Sequence, residues 1–200
     1  MSLPAEFCWT RFGTEASQSV AQILERKERE RIAGSGTFFW GIGNAIGPSM
    51  RRLLERNTDP EVLFSPIKGR PRDVDAKPSA VAVWTQAMDL FERSFTIPSH
   101  ACIISRFDVS NAKSYHYALV CYSEGSLAFA GSDLLYVHSL SNLLTGRSVG
   151  ASQVTAVVNR REAHDIRGAY QVAARVKLAP PYLIKLSNPK VLTVTATATA

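Results

Sequence analysis

Cysteine is scarce in this chain, and the three that occur, Cys8, Cys102 and Cys121, form neither a CxxC pair nor a Cys/His pair at metal-ligand spacing. An odd, scattered set of thiols argues against a disulfide framework and against a structural zinc site. Each lies in an apolar, strand-like run, where a thiol acts as a small buried hydrophobe. Only Cys121, five residues after His116, has near it the base that a catalytic thiol needs. Long apolar runs are missing as well. "HACIISRF" and "HYALVCYS" stop far short of the ~20 residues that cross a bilayer. The start, "MSLPAEFCWTR", has neither a basic n-region nor an apolar h-region with a cleavage site, so the expectation is a soluble, cytoplasmic protein with no membrane partner. GxSxG and HExxH are absent, and His100, His116, His138 and His164 have no carboxylate at a fixed offset. His116, between Tyr115 and Tyr117, is the only one in pocket-like company; His138 reads as a structural residue in an apolar helix. The acidic pair Asp73/Asp75 falls in a polar stretch where carboxylates are simply solvated. No cofactor and no metal are called for.

What is present fits one domain. Two hundred residues at 46% hydrophobic suffice for a continuous core over 1–192, and the low-complexity 193–200 reads as a fraying tail. The net charge of +6 is uneven: residues 151–200 hold 7 Lys/Arg against 2 Asp/Glu, while 1–150 hold 16 against 15. Such a surplus suits a polyanionic partner, because neutralised phosphates release condensed counterions. It equally describes a generally basic surface.

Hydrophobic periodicity orders the chain. "EFCWTRFG" (6–13) alternates as a strand, with Phe7, Trp9 and Arg11 on one face and Cys8, Thr10 and Phe12 on the other. "SQSVAQILERKERERIAG" reads as a helix with a Ser19/Gln22 capping box, a Val20, Ile23, Leu24 and Ile32 stripe, and Gly34 as its stop. Its ERKERER run is mixed in sign and reads as a solvated face, with Glu25 opposite Arg29 and Glu28 opposite Arg31. "TFFWGIG" is a second strand. A short helix follows, with Asn44 or Ser49 as candidate cap, Pro48 in its first turn and an end near Asn57. "EVLFSPI" is a third strand, and the proline-punctuated "KGRPRDVDAKP" is an exposed excursion. Strands are expected over 79–91, 101–109, 114–123, 169–178 and 181–188, and a leucine-rich helix over 132–146. The pattern of "GASQVTAVVNRREAHD" fits helix or strand. The order begins β-α-β-α-β and turns strand-rich, which favours an α+β fold: a curved or barrel-like sheet with helices outside.

The chemistry gathers around "FFWGIGNAIGPSMRRLL" (38–54). Gly41, Gly43 and Gly47 leave a strand and enter a helix, as a phosphate-cradling loop does. The context is wrong for a dinucleotide fold: the next strand ends in Lys68 instead of an acid, and strands then follow one another. Glycines that permit a bend explain the spacing as well. Three tryptophans, Trp9, Trp40 and Trp84, each lie on or near a strand. Indoles usually fill cores; meeting around one cavity, they would sandwich a planar base, each stack contributing ~1–3 kcal/mol. Arg11, Thr10, Asn44 and Ser65 supply polar groups for a base edge, and an amide offers donor and acceptor side by side. Arg51, Arg52, Lys68, Arg70 and Arg72 supply charge for phosphates.

"FCWTRFG", then a helix, then "FFWGIGNAIGPSMRRLL" resembles the start of the PUA-like superfamily, especially its EVE and YTH branches. Trp40, Gly41, Ile42 and Asn44 match the EVE pattern of a tryptophan and a Gly-Val/Ile-x-Asn segment before an arginine-bearing helix, with one residue fewer between Trp and Gly. Arg11-Phe12-Gly13 departs from the family's Lys-Ser-Glu-Pro type turn. The resemblance covers residues 5–67. It implies a PUA-like pseudo-barrel that reads a modified base of DNA or RNA in an aromatic pocket, without catalysis. Trp40, Gly41 and Asn44 are its matched residues, Trp9 and Arg11 correspond by place, and Trp84 and the basic loop come from the residues alone. Two other readings stay open: a small enzyme taking a nucleotide or phosphorylated ligand at Gly41–Gly47 with His116 or Cys121 near the chemistry, and a structural or partner-binding protein whose tryptophans are all core.

Overall fold

The computed structural model describes residues 2–13, 18–67, 80–101, 103–107, 115–127, 133–150, 154–162 and 168–193. Its first five elements are β1 (Glu6–Phe12), α1 (Val20–Ala33), β2 (Thr37–Ile42), α2 (Gly47–Arg56) and β3 (Glu61–Pro66). They follow the order that the periodicity predicts. Ser19 Oγ accepts from the Gln22 N–H while Gln22 Oε1 accepts from the Ser19 N–H, so the capping box at α1 is complete. Pro48 sits in the first turn of α2, where its missing N–H has no intrahelical partner to lose. Neither Asn44 nor Ser49 caps that helix, however: its N-cap is Ile46, which makes no side-chain cap.

Strand follows strand thereafter: β4 (Ala80–Val83), β5 (Gln86–Asp89), β6 (Ser94–Thr96), β7 (Ile104–Phe107), β8 (Tyr117–Tyr122), β9 (Leu134–Tyr136), β10 (Leu140–Asn142), β11 (Thr155–Arg160), β12 (Ala169–Gln171), β13 (Ala174–Ser187) and β14 (Lys190–Thr193). Three expectations are corrected and one open reading is settled. The leucine-rich 132–146 is no helix: β9 pairs with β12 and β10 with β11, and a single 3-10 turn joins them. His138 on that turn is exposed. Residues 79–91 form two strands in different sheets, broken at Trp84. The two strands expected over 169–188 become β12 and one long strand, β13. The ambiguous 155–160 is strand.

β1 runs parallel to β3 and antiparallel to β11, and its far neighbour across β11 is β10. β13 is the spine of the main sheet. Its first half pairs with β3, its second half with β5, and both halves with β8, the register shifting between Leu178 and Leu183. A bulge bends a strand and lets it serve different neighbours on either side of the bend. β2 adds to β8, and β6 to β5. The result is a mixed sheet with helices that does not close into a barrel, so the α+β expectation holds at that level and closure is corrected. β14, β4 and β7 form a separate antiparallel sheet. No helix among the described residues is long and apolar enough to cross a membrane.

The alternation along β1 is as predicted, and both faces are buried. Cys8 and Phe12 join a core under α1 and α2 with Phe38, Trp40, Met50, Leu53 and Phe64. Phe7 and Trp9 enter a second core with Leu63, Leu135, Leu140 and Val158. A third gathers Phe39, Trp84, Ile97, Ile103 and Ile184.

The ERKERER run is not wholly solvated. Lys27 and Glu30 are 4% and 3% exposed, and their side chains pair at 2.7 Å. Glu30 Oε1 also accepts from the Phe39 N–H at 2.9 Å, and Lys27 Nζ donates to the Phe39 carbonyl. Phe39 lies on the edge of β2 away from β8, so the pair stands in for a missing neighbour strand. Unpaired edge groups invite another chain, and covering them is a recurrent remedy. Removing one member of a buried pair leaves the other charge uncompensated, at a cost of ~3–5 kcal/mol. Lys27→Ala and Glu30→Ala should each lose stability of that order in urea unfolding, and the double variant should lose clearly less than their sum. Additive losses would show that the two side chains act independently.

Candidate nucleic-acid interface

Polar side chains concentrate where β1 and β3 end together, with Arg11 beside Ser65 in register and Thr10 opposite Thr155 of β11. Buried hydroxyls need partners, and these have them. Trp9 Nε1 donates to Ser65 Oγ at 3.0 Å, and the Thr10 and Thr155 hydroxyls bond each other at 2.8 Å. On the Trp9 face, the Arg11 guanidinium lies 5.1 Å from the Trp9 ring centre and 5.4 Å from that of Tyr170. Arg11 Nη1 donates to the Tyr170 hydroxyl at 3.0 Å. Arg11 is 4% exposed, and a guanidinium held against two aromatic rings is attracted by their electron-rich faces. On the opposite face, Trp40 meets Phe12 edge-on at 5.2 Å and Phe64 at 4.5 Å.

Asn44 connects the loop after β2 to this cluster. Its Nδ2 donates to the Thr155 carbonyl at 2.8 Å. A carbonyl only accepts, so the nitrogen must face it. Among the described residues nothing donates to the amide oxygen, and Asn44 is half-buried beside an exposed Gly43. A tethered amide therefore presents an acceptor and a second N–H outward.

The glycines of this loop differ in what they do. A Cβ on Gly41 would lie 2.3 Å from Tyr115 Cδ2, so the tyrosine ring rests on its backbone. Nothing lies within 4 Å of such a Cβ on Gly43. At Gly47 the nearest atom is Leu90 Cδ1 at 3.8 Å. Gly41 is thus closed to a phosphate, and Gly43 is open to whatever approaches.

The three tryptophans do not converge. Trp9, Trp40 and Trp84 belong to three separate cores, the first two on opposite faces of β1. The shared indole cavity is corrected on that ground: alternation sends neighbouring strand residues to opposite sides. Arg51 and Arg52 are exposed but engaged, Arg51 Nη2 donating to the Leu90 carbonyl at 2.6 Å and Arg52 pairing with Glu55 at 3.2 Å. Lys68, Arg70 and Arg72 lie outside the described residues. Tyr170 and Thr155 escaped the sequence reading, because they meet Arg11 and Asn44 from more than a hundred positions away and carry no local signal.

A thiol nucleophile at Cys8 or Cys121 finds no support, and Cys102 lies outside the described residues. Burial pushes the Cys8 thiol up to about 12 and raises Cys121 well above its ordinary value, with Cys8 nearby adding to the latter. Both are fully buried and neutral at physiological pH, while His116 is exposed. Thiolate chemistry needs the ionised form. Comparison with family models, curated proteins and solved structures gives no match to this chain.

Two outcomes follow. Gly41→Ala should cost ~1–3 kcal/mol by overpacking against Tyr115, whereas Gly43→Ala should leave the melting temperature unchanged. Cys8 and Cys121 should resist iodoacetamide at mildly alkaline pH until the chain is unfolded; labelling of either in the native state, read by peptide mass, would contradict their burial.

Proposed function

We propose that this chain is a non-enzymatic nucleic-acid-binding protein of PUA-like type that receives one base, of DNA or RNA, at the strand ends around Asn44. The observation that carries the proposal is the Asn44 amide, tied through its nitrogen to Thr155 with its oxygen left outward. Bidentate amides read base edges by offering a donor and an acceptor together. The resemblance of residues 5–67 to the EVE branch supports the same residue, since Trp40, Gly41 and Asn44 are the matched positions. The net charge of +6 supports a polyanionic partner.

The indoles lend less to this reading than their number suggests. Their burial in separate cores is what a structural role requires, and Trp40 packs against Phe12 and Phe64 instead of stacking on a base. Closure of Gly41 by Tyr115 weighs against a pyrophosphate cradle along Gly41–Gly47, and neutral thiols weigh against an enzyme built on Cys121.

The proposal is tested on Asn44, which is half-buried, not on the buried Trp40. Asn44→Ala should reduce discrimination among oligonucleotides of different base content or modification by about five- to hundredfold and leave the salt dependence of binding unchanged. Fluorescence anisotropy across a salt series measures both. Equal loss for every oligonucleotide would overturn a base-reading role. Trp40→Ala, by contrast, should lose ~3–5 kcal/mol of stability, as large-to-small changes in aromatic cores do.

A further inference from the structure

The tip of the β5–β6 hairpin presents a large aromatic side chain to solvent: Phe91 is 57% exposed. An isolated exposed hydrophobe needs no explanation, but this one is held in place. Asp89 Oδ1 accepts from the Phe91 N–H and from the Arg93 N–H, each at 2.8 Å, and Oδ2 accepts from Arg93 Nε at 2.7 Å. Although burial alone would raise the Asp89 carboxyl, these bonds outweigh it and hold it below the usual carboxylate range. Two guanidinium groups flank the ring, Arg51 at 5.7 Å and Arg93 at 5.6 Å from its centre. They come from different elements, α2 and the hairpin. Each has five N–H donors; Arg51 directs one to the Leu90 carbonyl and Arg93 one to Asp89.

The position of the tip matters as much as its make-up. Leu90 packs beside Gly47 at the start of α2, so the hairpin tip rests against that helix. On the sheet next to the hairpin, Lys185 stands in register between Tyr117 of β8 and Met88 of β5. An exposed lysine thus occupies the same face of the sheet as Met88.

We infer that Phe91, flanked by Arg51 and Arg93, is a stacking platform for an unpaired base of a single-stranded nucleic acid. The inference rests on the base-binding reading. A π face accepts any base, guanidinium groups stack and bond phosphate at once, and a ring fixed in advance loses little entropy on binding. Glu92, exposed at the same turn with φ of +63°, makes no ion pair among the described residues. Its charge offsets one arginine, so stacking, not net charge, supplies the affinity here. A membrane surface fits less well, because one ring beside a free carboxylate gives little to anionic headgroups.

The test uses the full chain, short labelled single-stranded DNA and RNA of mixed sequence, and the matching duplexes. Phe91→Ala should weaken single-strand binding by about five- to hundredfold without altering its salt slope. Phe91→Trp should restore it, Glu92→Gln should tighten it, and the melting temperature should stay constant because the ring is exposed. If Phe91→Ala binds single strands as the wild type does while Asn44→Ala loses discrimination, the platform is refuted and the Asn44 reading stands. Wild-type protein that binds no oligonucleotide at low salt refutes both. Phe91-dependent binding to phosphatidylserine vesicles in place of oligonucleotides would assign the tip to a membrane and overturn the inference.

Discussion

The buried pair of Lys27 and Glu30 is the constraint on which the arrangement of helix and sheet depends. An ion pair in a core seldom adds net stability over well-packed hydrophobes, since desolvating two charges costs several kcal/mol. Here the pair has a second task, because the Phe39 N–H and carbonyl on the open edge of β2 need partners and no strand supplies them. One acceptor and one donor from successive turns of α1 do what a neighbouring strand would do. The consequence reaches the site: α1 holds β2, and the loop that carries Gly43 and Asn44 leaves directly from the end of β2. The same substitution of side chains for a strand leaves the sheet open on that side.

Much of this was readable where the code is local. The capping box of Ser19 and Gln22 marks α1, and the two-residue period of 6–12 assigns each side chain of β1 to its face. Local signals failed where the deciding partner is distant. Leu134, Leu135, Leu140, Leu143 and Leu144 satisfy helical spacing, yet β12 and β11 claim two short strands from them, and Leu134 and Leu144 end in solvent. Within ERKERER, the i,i+3 pair that is buried looks the same as the i,i+3 pair of Glu28 and Arg31 that is not. Only the position of the β2 edge separates them.

The tryptophans show the same limit from the functional side. Three indoles on or near strands suggest a cage only if their strands point them at one another. The alternation read correctly along β1 already sends Trp9 away from the face that β2 covers with Trp40. What does assemble at the strand ends is less conspicuous in composition: hydroxyls of Thr10, Ser65 and Thr155, the guanidinium of Arg11, and one amide. Each has a specific partner, although Arg11 Nε is buried without a hydrogen bond of its own, and Asn44 turns an unused acceptor outward.

β13 binds β3, β5 and β8, and it follows all three in the sequence. During synthesis the N-terminal segment can bring β1 and β3 side by side early. β2 waits for β8, the outer edge of β3 waits for Ala174–Lys177, and β5 waits for residues to Ser187. Sheets whose pairings span most of the sequence close late and expose their edges meanwhile. For a growing polypeptide of this kind, the interval between the synthesis of β3 and the emergence of β13 is the period of greatest exposure to association with other nascent chains.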